Sequence, residues 1–291
     1  MHIKQTDLVL EVGSGNSPRY RSNVIADRLL HDNSQRAGTF SIVIDRPFIV
    51  CDGYNLPFKD NTFNYVICSH VLEHLDNPDA FIKELMRVGK RGYIEVPSIL
   101  GERLFGWDFH LWYCEFKNNI LVMTRKKEGK RFDGFFHRLI ANDISFRRFC
   151  EMHENDFYIK YEWDKKVSLQ VNRKEKSQKE IEEVDKTLWE LVNTMQWSIT
   201  RDVLFYFSWM TRRVKRKSIK IARRVSWNFS KMLIQRKIIN YLLPLLLCPT
   251  CHRDGVIYKQ GTIVCTSCKH VYSIDHCLPI LLTIDEERKG Y

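Results

Sequence analysis

Two pairs of cysteines and a small group of histidines and acids are the residues of this chain whose types and spacing can do chemistry. Cys248-x-x-Cys251 is followed, thirteen residues on, by Cys265-x-x-Cys268. Each Cys-x-x-Cys turns two thiolates to one side of a tight turn, and two such knuckles close a tetrahedral metal site. Four cysteine ligands leave no open position, so zinc here is expected to be structural. It would contribute on the order of 10 kcal/mol to folding a unit too small to fold on a core alone. Iron in a rubredoxin-like site is the alternative. Upstream, His70, Glu73, His74, Asp108 and His110 are candidates for moving a proton. His70 stands first because it directly follows an apolar run, and His74, four residues on, would share its face on a helix. The competing reading of His74 is a capping or packing residue. A metal on this histidine pair is disfavoured because no third ligand stands out nearby.

The elements that must position these groups are legible from the pattern. Residues 8–18 read LVLEVGSGNSP: an apolar run carrying Glu11, then the permissive turn Gly13-Ser14-Gly15, where a backbone can approach a ligand. A dinucleotide fingerprint needs glycine where Pro18 stands. Another nucleotide site and an ordinary loop therefore compete. Residues 23–27 form a second strand closing on Asp27, placed where an acid accepts both hydroxyls of a ribose. Residues 48–53 form a third, ending in Asp52-Gly53, and residues 64–69 a fourth. Asn77 caps a helix that ends at Gly89, and residues 91–96 make a fifth strand stopped by Pro97. Acids and glycine turns at successive strand ends mark a ligand crevice at one edge of a parallel sheet. The aromatic stretch 104–113 is expected to line or lid it, with Asp108 and His110 toward an acceptor. A hairpin is expected around Lys117-Asn118-Asn119, a helix opening at 142–146, and two antiparallel strands at 157–163 and 167–171 that complete the sheet.

LEVGSGNSP, then VIAD, then CDGYNLPFKDNTFNYVICSHVLEHL resembles the class I S-adenosylmethionine-dependent methyltransferases of the small-molecule type over residues 8–98. The family's third glycine is here Ser17. The resemblance implies a Rossmann-like, seven-stranded α/β sheet. It also implies that Gly13, Ser14 and Gly15 pass under the methionine part of S-adenosylmethionine, with Glu11 near its ammonium group through water. Asp27 would hold the ribose, Asp52 the adenine amino group, and Gly53 a backbone contact. The Ser69 carbonyl would meet the ammonium, and His70 would overhang the methyl group.

The net charge of +11 is concentrated rather than spread. Between Val203 and Arg253 the chain has no acid and twelve basic residues, Arg212 to Lys237 holding most of them. A localised polyanionic neighbour is implied, either an anionic membrane surface or nucleic acid; a solvated helix face is the bland reading. Residues 174–185 are almost wholly charged and polar, and from 181 to 243 neither glycine nor proline occurs, which predicts long helices. Their apolar runs are too short to span a bilayer. The flanks of the cysteine pairs, LLLCPTC, CTSCKHVYSI and CLPILL, are similar to the small zinc-ribbon proteins that activate tRNA and protein methyltransferases. That resemblance implies a stabilising partner fused in cis.

Three units are thus expected: a methyltransferase domain over 1–173, a basic helical connector over 174–241 and a zinc ribbon over 242–291, with Cys277 a core thiol. The opening residues carry no signal-peptide pattern and the cysteines suit a reducing compartment. A cytoplasmic protein, peripheral at the inner membrane face, is expected. The expected activity is methyl transfer to a hydroxyl of a small-molecule or lipid-linked acceptor, such as a glycan. The alternatives are RNA (tRNA) methylation and a non-catalytic scaffold that docks through the ribbon.

Overall fold

The computed structural model describes residues 1–30, 42–127, 135–275, 278–283 and 285, leaving out the side chains of 228–237. Cys277 lies outside the described residues. The central sheet grows from short β-branched runs buried on both faces, the signature of parallel strands covered on either side. These are β1 (Val9–Val12), β2 (Val24–Asp27), β3 (Phe48–Cys51) and β4 (Tyr65–Ser69). Helix α1 (Pro78–Val88) starts where Asn77 accepts from the Ala80 N–H, with Pro78 at a position that needs no donor. It buries Phe81, Ile82, Leu85 and Val88 and leads to β5 (Arg91–Pro97).

Helix α2 (Ile99–Phe105) then precedes the hairpin of β6 (Trp112–Lys117) and β7 (Ile120–Arg125). Asn118 and Asn119 both take left-handed backbone at its tip, with φ of 50° and 63°, as a primed two-residue turn requires. Next come α3 (Phe135–Asn142), α4 (Ile144–Met152), capped by Asp143, α5 (Glu154–Phe157), β8 (Tyr158–Asp164) and β9 (Leu169–Asn172). Two long helices follow, α6 (Gln178–Asn193), opened by a Ser177–Glu180 capping box, and α7 (Ile199–Leu242). The chain closes with β10 (Val256–Lys259), β11 (Thr262–Cys265), β12 (Val271–Tyr272), β13 (Ile274–Asp275) and β14 (Leu278–Leu281).

Among the described residues the main sheet is mixed and has eight strands rather than seven, in the order β13-β14-β3-β2-β1-β4-β5-β8. β8 runs antiparallel to β5, as expected for residues 157–163. The strand expected at 167–171 does not enter this sheet. Lys165, at φ of 60°, turns the chain, and β9 pairs parallel with β7 instead. The hairpin leaves the outer edge of β7 with open backbone groups, and β9 satisfies them. The vacant place in the main sheet is at its other end, where β14 lies parallel to β3 with Ile280 opposite Val50.

The cysteine-bearing unit is joined to the sheet by more than that strand. Lys59 N donates to Leu245 O at 3.0 Å and Leu247 N to Pro57 O at 3.0 Å. A single apolar core runs from Leu10 and Phe58 through Leu246 to Ile263, Tyr272 and Leu281. At 1.5 Å per residue, α7 is about 66 Å long. Its first turn is pinned by buried Asp202, which accepts from Arg148 at 2.6 Å and from Ser145 Oγ at 2.5 Å. Its last turns bury Ile238, Ile239 and Leu242. No helix among the described residues is long and apolar enough to cross a membrane.

Candidate active site and metal centre

The turn after β1 is built for close approach. Gly13 and Gly15 have φ of 71° and 54°, and a Cβ on Gly13 would lie 2.3 Å from Val71 Cγ2. Glu11 organises the turn: its carboxylate accepts from Arg19 N at 2.8 Å and from Ser22 Oγ at 2.5 Å, while burial raises its pKa above the ordinary range. Asp27, at the end of β2, accepts from Gly15 N at 3.3 Å and Leu29 N at 3.1 Å. Asp52, just past β3, accepts from Tyr54 N at 2.9 Å and pairs with Arg28 at 2.9 Å. Gly53 is required by packing, since a Cβ there would stand 2.4 Å from the Phe81 ring. Ser14 Oγ is buried and has no hydrogen-bond partner. Together with Ser69 and His70 these residues line one cavity of about 1790 Å³, larger than one small ligand fills.

His70 and His74 do not share a helix face. His70 has φ of 56° and the following 3₁₀ turn spans only Leu72–His74, so no α-helical repeat connects them. His70 is clamped between carboxylates, Nδ1 3.3 Å from Glu73 and Nε2 3.3 Å from Glu95. Burial would lower its pKa, but the two acids raise it to about 9, so it is a cation at neutral pH. Burial would likewise raise Glu95, yet His70, the Tyr93 hydroxyl and Arg19 at 2.8 Å hold it at about 2. His74 is the opposite case. It stacks on Phe109 with ring centroids 5.4 Å apart, its Nδ1 is buried without a partner, and burial lowers it to about 4.

His110 arrives from the aromatic segment after α2, whose backbone is tied down where Leu111 N donates to Glu73 O at 2.7 Å. Its ring stands perpendicular to His74 at 4.7 Å. His110 Nδ1 donates to Glu102 Oε2 at 2.6 Å, and Lys126 Nζ donates to the other oxygen of Glu102. A carboxylate only accepts, so Nδ1 of His110 carries a hydrogen and Nε2 is the nitrogen turned away from Glu102. Glu73 is 1% exposed; its Oε1 has the His70 ring at 3.3 Å and its Oε2 has no hydrogen-bond partner among the described residues. One ligand atom from each of Glu73, His74 and His110 lies within 4.8 Å of the others. His70 is not part of this group, which joins His74 instead to Glu73 and to His110, a residue distant in sequence. Asp108 is exposed and does not line the cavity. Glu102 escaped the sequence reading; its signal is an acid in the apolar stretch ILGERLF, where an unpaired charge would be costly.

Helix α7 forms the cavity's outer wall with Trp209, Arg212, Arg213, Arg216, Lys217 and Arg223. Lys220 Nζ donates to Asn16 O at 3.4 Å, and Arg223 donates to Tyr20 O at 2.8 Å while lying 4.2 Å over the Tyr20 ring. The stretch expected as a connector therefore touches the glycine turn itself.

The four cysteines of the two knuckles converge. Cys248 and Cys268 sulfurs are 3.6 Å apart and those of Cys251 and Cys265 3.7 Å. A tetrahedral ion with Zn–S bonds near 2.3 Å needs edges of about 3.8 Å, so the donor set fits zinc. Cys268 N points at Cys265 Sγ at 3.5 Å and the Tyr272 hydroxyl lies 3.0 Å from Cys248 Sγ, orienting the thiolates.

A family described as "Methyltransferase domain" matches residues 23–94. Norajmaline N-methyltransferase of Rauvolfia serpentina is 42% identical over 45 residues, 16% of this chain and 15% of that protein. Demethylmenaquinone methyltransferase of Corynebacterium urealyticum is 48% identical over 48 residues, 16% of this chain and 21% of that protein. The chain thus spans about a fifth or less of the curated relatives it matches. Among solved structures, an S-adenosylmethionine-dependent methyltransferase from Mesorhizobium loti aligns with 54% of this chain and 90% of its own, at 7% identity and a TM-score of 0.30. A complex of the Haloferax volcanii Trm112 methyltransferase activator aligns with 38% of this chain and 52% of its own, at 19% identity and a TM-score of 0.28. Residues 23–94, which supply β2 to β4, the first part of β5 and the acids Asp27 and Asp52, are thus similar to a methyltransferase domain.

Proposed function

We propose that the chain transfers a methyl group from S-adenosylmethionine to a hydroxyl of a small-molecule or lipid-linked acceptor that carries negative charge. The observation that carries this reading is the convergence of the left-handed Gly13–Gly15 turn, Asp27 and Asp52 on one cavity. The residues fit the cofactor: Ser14 Oγ is a buried polar atom without a partner, and two carboxylates stand at adjacent strand ends. Gly13, Ser14 and Gly15 would floor the methionine moiety and Asp27 would accept from the ribose hydroxyls. Asp52 would accept from the adenine amino group, keeping Tyr54 N and exchanging part of its pairing with Arg28. Gly53 and Ser69 would contribute backbone. When bound, the cofactor supplies an already activated methyl group whose bond electrons return to sulfur as the acceptor oxygen bonds to carbon.

The chain's own part is to position the acceptor and to take its hydroxyl proton. His70, held as a cation by Glu73 and Glu95, orients the acceptor rather than accepting that proton. His74, kept neutral by burial, is the acceptor for it, with the His110 ring against it at 4.7 Å. The wall of Arg213, Arg216 and Lys217 favours a phosphate-bearing acceptor. The outer side of α7 exposes Leu204, Phe207, Ile221 and Val225 beside its cations, a combination that suits an anionic lipid surface. RNA would use the same cations without those apolar residues.

Calorimetric titration of the full chain with S-adenosylmethionine is expected to show one site, lost in Asp52→Ala. No heat with an intact fold would leave the scaffold reading standing. Co-sedimentation with anionic vesicles but not with tRNA is expected; the reverse would favour RNA as acceptor.

A further inference from the structure

A second metal site, separate from the four cysteines, is carried by the group Glu73, His74 and His110. Each of these three side chains has free ligand capacity at a place where free capacity is expensive. Glu73 Oε2 and His74 Nδ1 are buried without a hydrogen-bond partner among the described residues, and Glu73 Oε1 has only the His70 ring at 3.3 Å. Leaving a buried carboxylate unsatisfied costs more than leaving an ordinary polar group so, and native structures tolerate it where an ion or water completes the site. Water alone would need two to four polar partners there. The nearest cation, the His70 ring 3.3 Å from Glu73 Oε1, is half-exposed and shared with Glu95, so it offsets only part of that charge.

The arrangement also has the outer support that metal-binding histidines show. His110 donates Nδ1–H to Glu102, which is 3% exposed and further tied to Lys126. This carboxylate–histidine pair engages Nδ1 and orients the ring, so that Nε2 is the nitrogen left to ligate. Lys126 also donates to Trp107 O at 2.6 Å, tying down the segment that carries His110. Phe109 stacks on both His74 and Trp107, at 5.4 and 5.3 Å, and covers one face of the His74 ring.

We infer that Glu73, His74 and His110 hold a divalent cation of borderline hardness such as Zn²⁺ through two imidazoles and one carboxylate. Three protein ligands leave a coordination position open toward the cavity they line. On the methyl-transfer reading above, that position faces the acceptor, where a Lewis acid would make a hydroxyl oxygen easier to deprotonate. With the ion bound, the His74 and His110 lone pairs are taken, so the ion takes over from the His74 imidazole and the proton leaves to water. Glu102 is a positioning residue, acting through His110.

The test is metal binding by the full chain, which does not depend on methyl transfer. After incubation with ZnSO₄ and gel filtration, elemental analysis of the wild type is expected to give about two zinc ions per chain. Glu73→Gln, His74→Gln and His110→Gln are each expected to give about one. The ion retained by the cysteines reports that the variant is folded. Replacement with Co²⁺ is expected to add visible bands without sulfur charge transfer, absent in His110→Gln. Glu102→Gln is expected to weaken the second ion 10- to 100-fold and to leave the first unchanged. One zinc per wild-type chain, or two in every ligand variant, would overturn the inference. Should the ligand variants lose both ions, unchanged affinity in Glu102→Gln would overturn it, and the graded loss would support it. Intact S-adenosylmethionine binding beside a missing second ion would reject the metal site and leave the proposed function in place.

Discussion

Glu95 sits under the cavity with a carboxyl held at about 2 by His70, Tyr93 and Arg19 in spite of its burial. Because the folded value lies below the ordinary 4.5, its contribution is complete above that pH and disappears as pH falls toward 2. Urea midpoints should therefore drop between pH 5 and 2. Glu95→Gln should flatten that drop by on the order of 2 kcal/mol after allowance for solvent screening. At this scale the sequence was informative wherever chemistry sits at a strand end. Asp27, Asp52, Gly13 and Gly15 all lie where the apolar runs stop. It was silent on His70, whose charge depends on Glu95, a residue 25 positions away in sequence that only strand pairing brings to it. It was equally silent on the meeting of His110 with Glu73 and His74, since nothing local encodes the path of residues 104–111 back over β4.

Helix α7 is the element whose extent could be read and whose place could not. The absence of glycine and proline predicts its length, and the run of cations predicts a polyanionic neighbour. Which face meets what depends on two anchors far apart: Asp202 against Arg148, and Ile238 with Leu242 in the core shared with the cysteine-bearing unit. Asp202→Ala leaves Arg148 and Ser145 without their acceptor and is expected to cost about 3 kcal/mol, read as a lower thermal midpoint. Arg213→Ala with Arg216→Ala and Lys217→Ala should raise the acceptor KM at least tenfold while changing S-adenosylmethionine affinity less than twofold, as measured by initial rates and calorimetry. A parallel loss of both would place these cations on the cofactor instead. The short strands show the same division. The alternation at 167–171 identified β9, but its partner was decided by the open edge of β7.

Across the whole molecule, the cysteine-bearing unit is continuous with the main sheet through β14 and through the backbone bonds at Pro57 and Lys59. On the reading that the four cysteines hold zinc, its removal should be felt at the cavity, because β3, which β14 pairs with, ends just before Asp52. Treatment of the full chain with a strong chelator, or Cys265→Ser, is expected to raise amide exchange in β3 and to weaken S-adenosylmethionine at least tenfold. Unchanged exchange in β3 would mean that β14 pairs without help from the metal.

Local pattern was sufficient for what chemistry repeats within a few residues: the knuckles at Cys248 and Cys265, the Gly13–Gly15 turn, the strand-end acids and the capped helices. Each is fixed by backbone geometry within one turn or one strand, so residue type and spacing determine it. The tertiary structure alone decided that β14 fills the edge beside β3, that α7 walls the cavity, and that His110 joins Glu73 and His74. Those juxtapositions arise from open strand edges and buried charges seeking partners across tens to hundreds of residues, and no short stretch of sequence records them.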